Sequence, residues 1–205
     1  MIRLETEGAL WTVTLDRPAK ANSLTAAMLA DLRDIARSAP GAGAVALILT
    51  GAGRVFSAGA DLDEARAGLA TSDLWEELSG AIAGFPGLTV AALNGTLAGG
   101  AMGMALACDL RLTVPGAKYF YPVMKLGFLP QPSDPGRLAA LVGPARARMI
   151  LMGGQRIEAE TALAWGLVDR LVPPEALMET ARDLVADVLA ARPGHAAAIK
   201  AMIPG

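Results

Sequence analysis

The chain has 205 residues, enough for one domain or one domain with a helical appendage. Hydrophobic residues make up 53% and aromatic ones only 4%, so a core of Ala, Leu, Val, Ile and Met is expected. Lys+Arg 18 against Asp+Glu 20 give a net charge of −2, which excludes the electrostatic footprint of a nucleic-acid binder.

Ile2 to Leu15 reads as a hairpin, because IRLETE and LWTVTL are β-rich and flank a Glu-Gly-Ala turn. Ser23 or Thr25 can cap a helix whose apolar stripe is Met28, Leu29, Leu32 and Ile35. AVALILT, Ala44 to Thr50, suits a strand buried on both faces, and GAGRVFSAGADL after it reads as a glycine-punctuated loop. Ser72 or Asp73 caps a helix through Leu74, Leu78 and Ile82 that Pro86 ends. LTVAAL, DLRLTV and AKYFYPV read as strands. Ser133-Asp134-Pro135 and Gly143-Pro144 start helices, and Pro173-Pro174 opens a last one running to about Ala191. The order is α/β followed by helices only.

Several residues carry no chemistry on this reading. Cys108 lies in an apolar run with no activating neighbour and reads as core; a single cysteine fits a reducing, cytoplasmic compartment. His195 follows Arg-Pro-Gly and reads as a surface residue, and one His with one Cys makes no metal cluster. The polar start MIRLETEGALW is unlike a signal peptide, and no membrane span is expected.

Two glycine segments remain. Gly51-Ala-Gly53 lacks the third glycine of a dinucleotide fingerprint, since Phe56 stands there, and AGGAMG has no Walker lysine. Small residues leave main-chain N–H groups uncovered. A strand running through Gly99-Gly100 into a helix presents free N–H groups there, and one more from Gly59-Ala60 would complete a two-donor oxyanion hole. The alternative is that these glycines only permit close packing.

LDRPAKANSLTAAML, LTGAGRVFSAGADL, NGTLAGGAMGMALACD and YPVMKLGFLP resemble, in order and spacing, the blocks of the crotonase (enoyl-CoA hydratase/isomerase) superfamily. The resemblance covers nearly the whole chain. It implies a ββα spiral core over residues 1–140 and a helical region over 141–205. It implies that Ala60 and Gly100 donate to a thioester carbonyl and that Ala58, Asp61, Leu62 and Asp63 lie along coenzyme A. The adenine would sit near Arg17, Lys20 and Ala21, with Arg17, Lys20, Arg54 and Arg66 toward the phosphates. Asp61 reads as structural. Coenzyme A enters as part of an acyl-CoA substrate, no separate cofactor or metal is implied, and a homo-oligomer, a trimer or hexamer, is expected.

The chain departs from the family pattern where hydratases carry two glutamates, for Gly103 and Val123 stand at those positions. Neither can move a proton. Poor classical hydratase activity is therefore expected, with decarboxylation, thioester hydrolysis, displaced-base isomerisation or binding without chemistry as alternatives. Asp134, Tyr121 and Gln131 are the candidates to replace the missing acid. Asp134 is read first as a helix cap, Tyr121 as sharing a strand face with Val123, and Ser57, Met102 and Met104 as lining an apolar pocket.

Overall fold

The computed structural model describes residues 1–203. The hairpin forms as β1 (Ile2–Glu7) and β2 (Leu10–Leu15), paired antiparallel. β1 is a sheet edge, and its charged, exposed residues guard it against further pairing. β3 (Ala46–Gly51), β5 (Leu88–Leu93), β7 (Leu110–Thr113) and β10 (Arg170–Leu171) extend the sheet in parallel, in the order β1-β2-β3-β5-β7-β10. The continuous apolar runs of β3 and β5 fit central strands covered on both faces.

A second sheet holds β4 (Val55–Ser57), β6 (Thr96–Ala98), β8 (Lys118–Phe120) and β9 (Ile157–Glu158). Each consecutive pair, β3 and β4, β5 and β6, β7 and β8, sends one strand to each sheet. This is the ββα spiral of the crotonase fold.

α1 (Ala26–Ser38) packs on α3 (Leu74–Ala83), while α9 (Leu177–Ala190) lies across β5 and β3. Of the two possible caps for α1, Thr25 serves, its hydroxyl accepting from the Met28 N–H. For α3 it is the Ser72 hydroxyl that accepts from the Leu74 N–H, and Asp73 makes no cap bond.

Three expectations need correction. The glycine loop after β3 contains strand β4 and, from Leu62, the short helix α2 (Leu62–Arg66). A strand of three residues is too short for a period-2 pattern to show. AKYFYPV is a strand only to Phe120; Tyr121 and Pro122 turn the chain into α5 (Val123–Leu126). Proline cannot donate to a ladder, and Tyr121 and Val123 therefore share no strand face. The C-terminal part is not purely helical, since β9 and β10 each add two residues to a sheet. The helices α6 (Asp134–Val142), α7 (Pro144–Leu151), α8 (Ala159–Trp165) and α10 (His195–Met202) complete it, and α6 runs on through residue 140.

α4 (Met102–Ala107) is buried on every side, as its all-apolar sequence requires. Its end is tied down by the buried Arg111. That guanidinium donates to Cys108 O at 2.7 Å and Leu167 O at 3.0 Å and pairs with Asp169 at 3.2 Å. Carbonyls that a helix end leaves without partners are thus satisfied by a cation. Cys108 is buried beside it, as expected, and burial pushes its thiol up to about 12. His195 is exposed at the start of α10. Among the described residues no helix is long and apolar enough to cross a membrane.

Candidate active site

β4 and β6 are parallel neighbours, so the segments leaving their C-terminal ends emerge side by side. A β-carbon on Gly59 would lie 2.9 Å from Ala98 O and 3.4 Å from Gly99 Cα, and Gly59 has φ +92°. Only glycine permits both the approach and the backbone angle. The segments that carry Ala60 and Gly100 thereby come together.

Among the described residues neither the Ala60 nor the Gly100 N–H has a backbone partner outside its own segment. Leu24 forms a parallel bridge to Ala60, donating to Gly59 O and accepting from Asp61 N. In that register the Ala60 N–H points away from Leu24. Gly100 lies in the first turn of a 3-10 segment, Gly99–Ala101, where an N–H has no intrahelical partner.

A buried polar network fixes the Ala60 side. Asn22, in a left-handed conformation at φ 51°, donates to Ala52 O at 2.9 Å and Val55 O at 2.7 Å. Its Oδ1 accepts from the Arg17 N–H. Ser57 is fully buried; its hydroxyl donates to Asn22 O at 2.8 Å and accepts from the Gly59 N–H at 3.1 Å. Asp61 accepts from the Asp63 and Glu64 N–H groups at the start of α2 and from Arg17 Nη1 at 2.7 Å. The Arg17 guanidinium holds the Asp61 carboxyl below the usual range. Asp61 is thus held by two loop amides and by Arg17, whose Nη1 also donates to Ser23.

Lys20 and Arg54 are exposed on adjoining loops, where Gly53 packs against Pro18. Arg66 pairs with Asp63 at 3.3 Å on the open surface. Ala21 precedes Asn22 with φ 49°, and its carbonyl accepts from the Ala58 N–H.

Ala60 and Gly100 line a cavity of about 170 Å³. Ala58, Ala60, Leu62, Gly100, Tyr121 and Gln131 all reach its wall. So does Trp75, which the sequence reading passed over. Its ring would lie 3.1 Å from a β-carbon on Gly100, and its indole N–H donates to Leu69 O at 2.8 Å. No local pattern in the sequence marks Trp75, because its approach to Gly100 is made by packing between separate elements. Ser57, Met102 and Met104 are buried and do not line this cavity, contrary to expectation, because backbone bonds and core packing take them.

Asp134 is not a helix cap. Ser133 holds the N-cap position and Asp134 is the first residue of α6, 1% exposed. Tyr121 Oη donates to its Oδ2 at 2.9 Å, while Oδ1 is buried without a partner among the described residues. Burial is the main cause that pushes this carboxyl up to about 6. Burial likewise raises the Tyr121 phenol. Beside the pair, Glu76 accepts from the Ser133 hydroxyl and N–H, and Arg137 donates to Ser79 Oγ.

Residues 5–204 match the family model described as enoyl-CoA hydratase/isomerase. The chain belongs to the enoyl-CoA hydratase/isomerase family. It is 36% identical over 205 residues to a carnitinyl-CoA dehydratase of Citrobacter koseri, covering 94% of this chain and 76% of that one. It is 34% identical over 171 residues to a probable enoyl-CoA hydratase of Mycobacterium bovis, covering 83% and 70%. Among solved structures, DspI of Pseudomonas aeruginosa superposes with a TM-score of 0.89 at 33% identity, covering 97% of this chain and 84% of that chain. An enoyl-CoA hydratase of Bacillus anthracis does so with 0.86 at 31% identity, covering 94% and 78%. As a member of this family the chain is an acyl-CoA-processing enzyme.

Proposed function

We propose that this site adds water to, or removes it from, the α,β-position of a short acyl-CoA thioester. The observation that supports the reading is the close approach of the Gly59 and Gly99 backbones, with Ala60 and Gly100 lining one cavity; on this reading their N–H groups lie side by side there. Two such donors stabilise the charge that develops on a thioester oxygen when C2 loses a proton. One is typically worth about 2.7–4 kcal/mol in the transition state. The related proteins named as a dehydratase and a hydratase support the direction of the chemistry. The expectation of poor hydratase activity rested on Gly103 and Val123 alone; a buried carboxylate beside Gly103 weakens that ground.

The cavity is smaller than the ~300–1,000 Å³ of pockets that enclose drug-sized ligands. On this reading it takes the acyl end and thioester, while the rest of coenzyme A lies along Ala58 to Asp63. The exposed Lys20 and Arg54 would meet its phosphates. No cofactor besides the coenzyme A of the substrate takes part. A homo-oligomer, trimeric or hexameric, is part of the same reading, supported by apolar side chains left exposed at Leu126, Leu129 and Met202.

The test is mass spectrometry of crotonyl-, 3-hydroxybutyryl-, carnitinyl-, malonyl- and aromatic acyl-CoAs after incubation with the protein. A gain or loss of water supports the reading. Loss of carbon dioxide or release of free coenzyme A would replace it with a decarboxylase or thioester hydrolase. Co-elution of a thioester without change would replace it with a binding protein.

A further inference from the structure

Position 103 on α4 is glycine, and the space beside it is not empty. A β-carbon there would lie 2.8 Å from Asp134 Oδ1, 3.2 Å from Oδ2 and 3.4 Å from Cγ. Any side chain at 103 would collide with this carboxylate. The carboxylate has one hydrogen bond, from a phenol, and an oxygen with no partner. Such burial is costly, and a buried polar atom left unpaired in a folded chain calls for a reason. Tyr121, the donor, reaches the same cavity wall as Ala60 and Gly100.

We propose that Tyr121 and Asp134 together are the proton-transfer group of this site, with Asp134 delivered from α6 into the space that glycine at 103 leaves beside α4. The proposal rests on the thioester reading above. Tyr121 is the catalytic residue, at the cavity wall, and Asp134 is a positioning residue that acts through it.

In the dehydration direction the C2–H bond breaks and its proton passes to the Tyr121 oxygen as the phenolic proton passes to Asp134. The electron pair moves onto the thioester oxygen between the Ala60 and Gly100 amides. When the carbonyl re-forms, the C2–C3 double bond forms and the C3–O bond breaks. The departing hydroxide takes the proton back from Asp134 through Tyr121 and leaves as water. Hydration is the reverse, and no oxidant or co-reactant is needed.

The relay requires Asp134 ionised at the start, so turnover should fall as pH drops through about 6. Burial is the main cause of this value; of the groups facing the carboxyl, Tyr121 before α5 and Arg137 on α6 itself pull it down and Glu76 on α3 pushes it up. α4, Met102 to Ala107, contributes no titratable side chain.

The experiment uses three proteins: wild type, Asp134→Asn and Tyr121→Phe. Butyryl-CoA measures binding by calorimetry. Crotonyl-CoA and 3-hydroxybutyryl-CoA in D2O report water addition, water loss and deuterium at C2. The expected result is unchanged butyryl-CoA affinity in both variants and turnover lowered by about 10²-fold or more. In Asp134→Asn the acid limb of the pH profile should also disappear. Tyr121→Phe keeps the carboxylate, so the proposal does not hang on one variant's folding. Turnover within about threefold of wild type in Asp134→Asn, with its acid limb intact, would overturn the proposal and leave the thioester reading standing. Wild type that binds butyryl-CoA yet forms no product and exchanges no deuterium would overturn it too. Absence of binding by wild type would instead overturn the thioester reading, and the proposal with it.

Discussion

Asp134 and Gly103 share one space, the carboxylate of the first lying 2.8 Å from where a β-carbon of the second would stand. The pair should therefore be coupled. Gly103→Glu alone puts a second carboxylate into a filled, buried site and should lower both stability and solubility. Gly103→Glu combined with Asp134→Gly should recover much of that loss, a coupling of about 0.5–3 kcal/mol in a double-mutant cycle. Denaturant melts of the four proteins measure it, and additive losses would show that the two positions do not meet.

Asp134 should also tilt stability with pH. Its carboxyl is raised from 3.8 to about 6 in the folded chain. Between those values the folded state holds a proton that the unfolded state has released. Stability from this group is complete below about pH 4, falls as pH rises toward about 6, and is level above. The penalty at neutral pH is about 3 kcal/mol. Asp134→Asn should remove that slope, so its melting temperature should gain on wild type as pH rises from about 4 to about 7. A constant difference across that range would mean that the carboxyl titrates normally.

Gly59→Ala should close the donor cradle. The new methyl meets Ala98 O at 2.9 Å at a backbone angle of +92°. Left-handed strain costs about 1–3 kcal/mol, and displacing one donor lowers turnover about 10²–10³-fold. A melting curve and a single kcat suffice; unchanged turnover would separate Ala60 from the chemistry.

Asp61→Ala removes the acceptor for two α2 amides and the Arg17 guanidinium. The Ala60 amide should lose its fixed position, with kcat/KM falling by up to about 10²-fold. Proteolysis near α2 should become faster. Because Arg17 holds this carboxyl low, the contribution of Asp61 to stability is present above the ordinary carboxylate range and lost as pH falls below it.

Cys108, raised to about 12, should resist iodoacetamide near pH 8 in the folded chain and react at once in denaturant. Rapid labelling of native protein would mean that α4 opens readily.

Long periodic segments were readable from sequence because their pattern follows from burial. The hairpin, α1, β3 and β5 are of this kind. The close approach of the two glycine segments was readable too, since small residues mark where backbone is bared; Ala60 and Gly100 as donors came from the family resemblance. β4 was missed because three residues carry no period, and α5 because proline turned an apparent strand. The meeting of Asp134 with Gly103 was illegible for a different reason. Thirty-one positions separate 103 from 134, and nothing local to either residue encodes the contact. Asp before Pro is a common helix-start pattern, and the local rule prevailed until packing was known.

If Ala60 and Gly100 act as proposed, through peptide nitrogens, only proline deletes either donor; any other substitution must bend the chain to silence it. The cradle is inherited as a shape, while the groups that move protons are inherited as side chains and can be reassigned one codon at a time. A fold built this way can lose an acid from one helix, recruit another from a neighbour, and hold the same thioester throughout. Its chemistry is then free to drift across descendants while its choice of substrate class is conserved by the backbone.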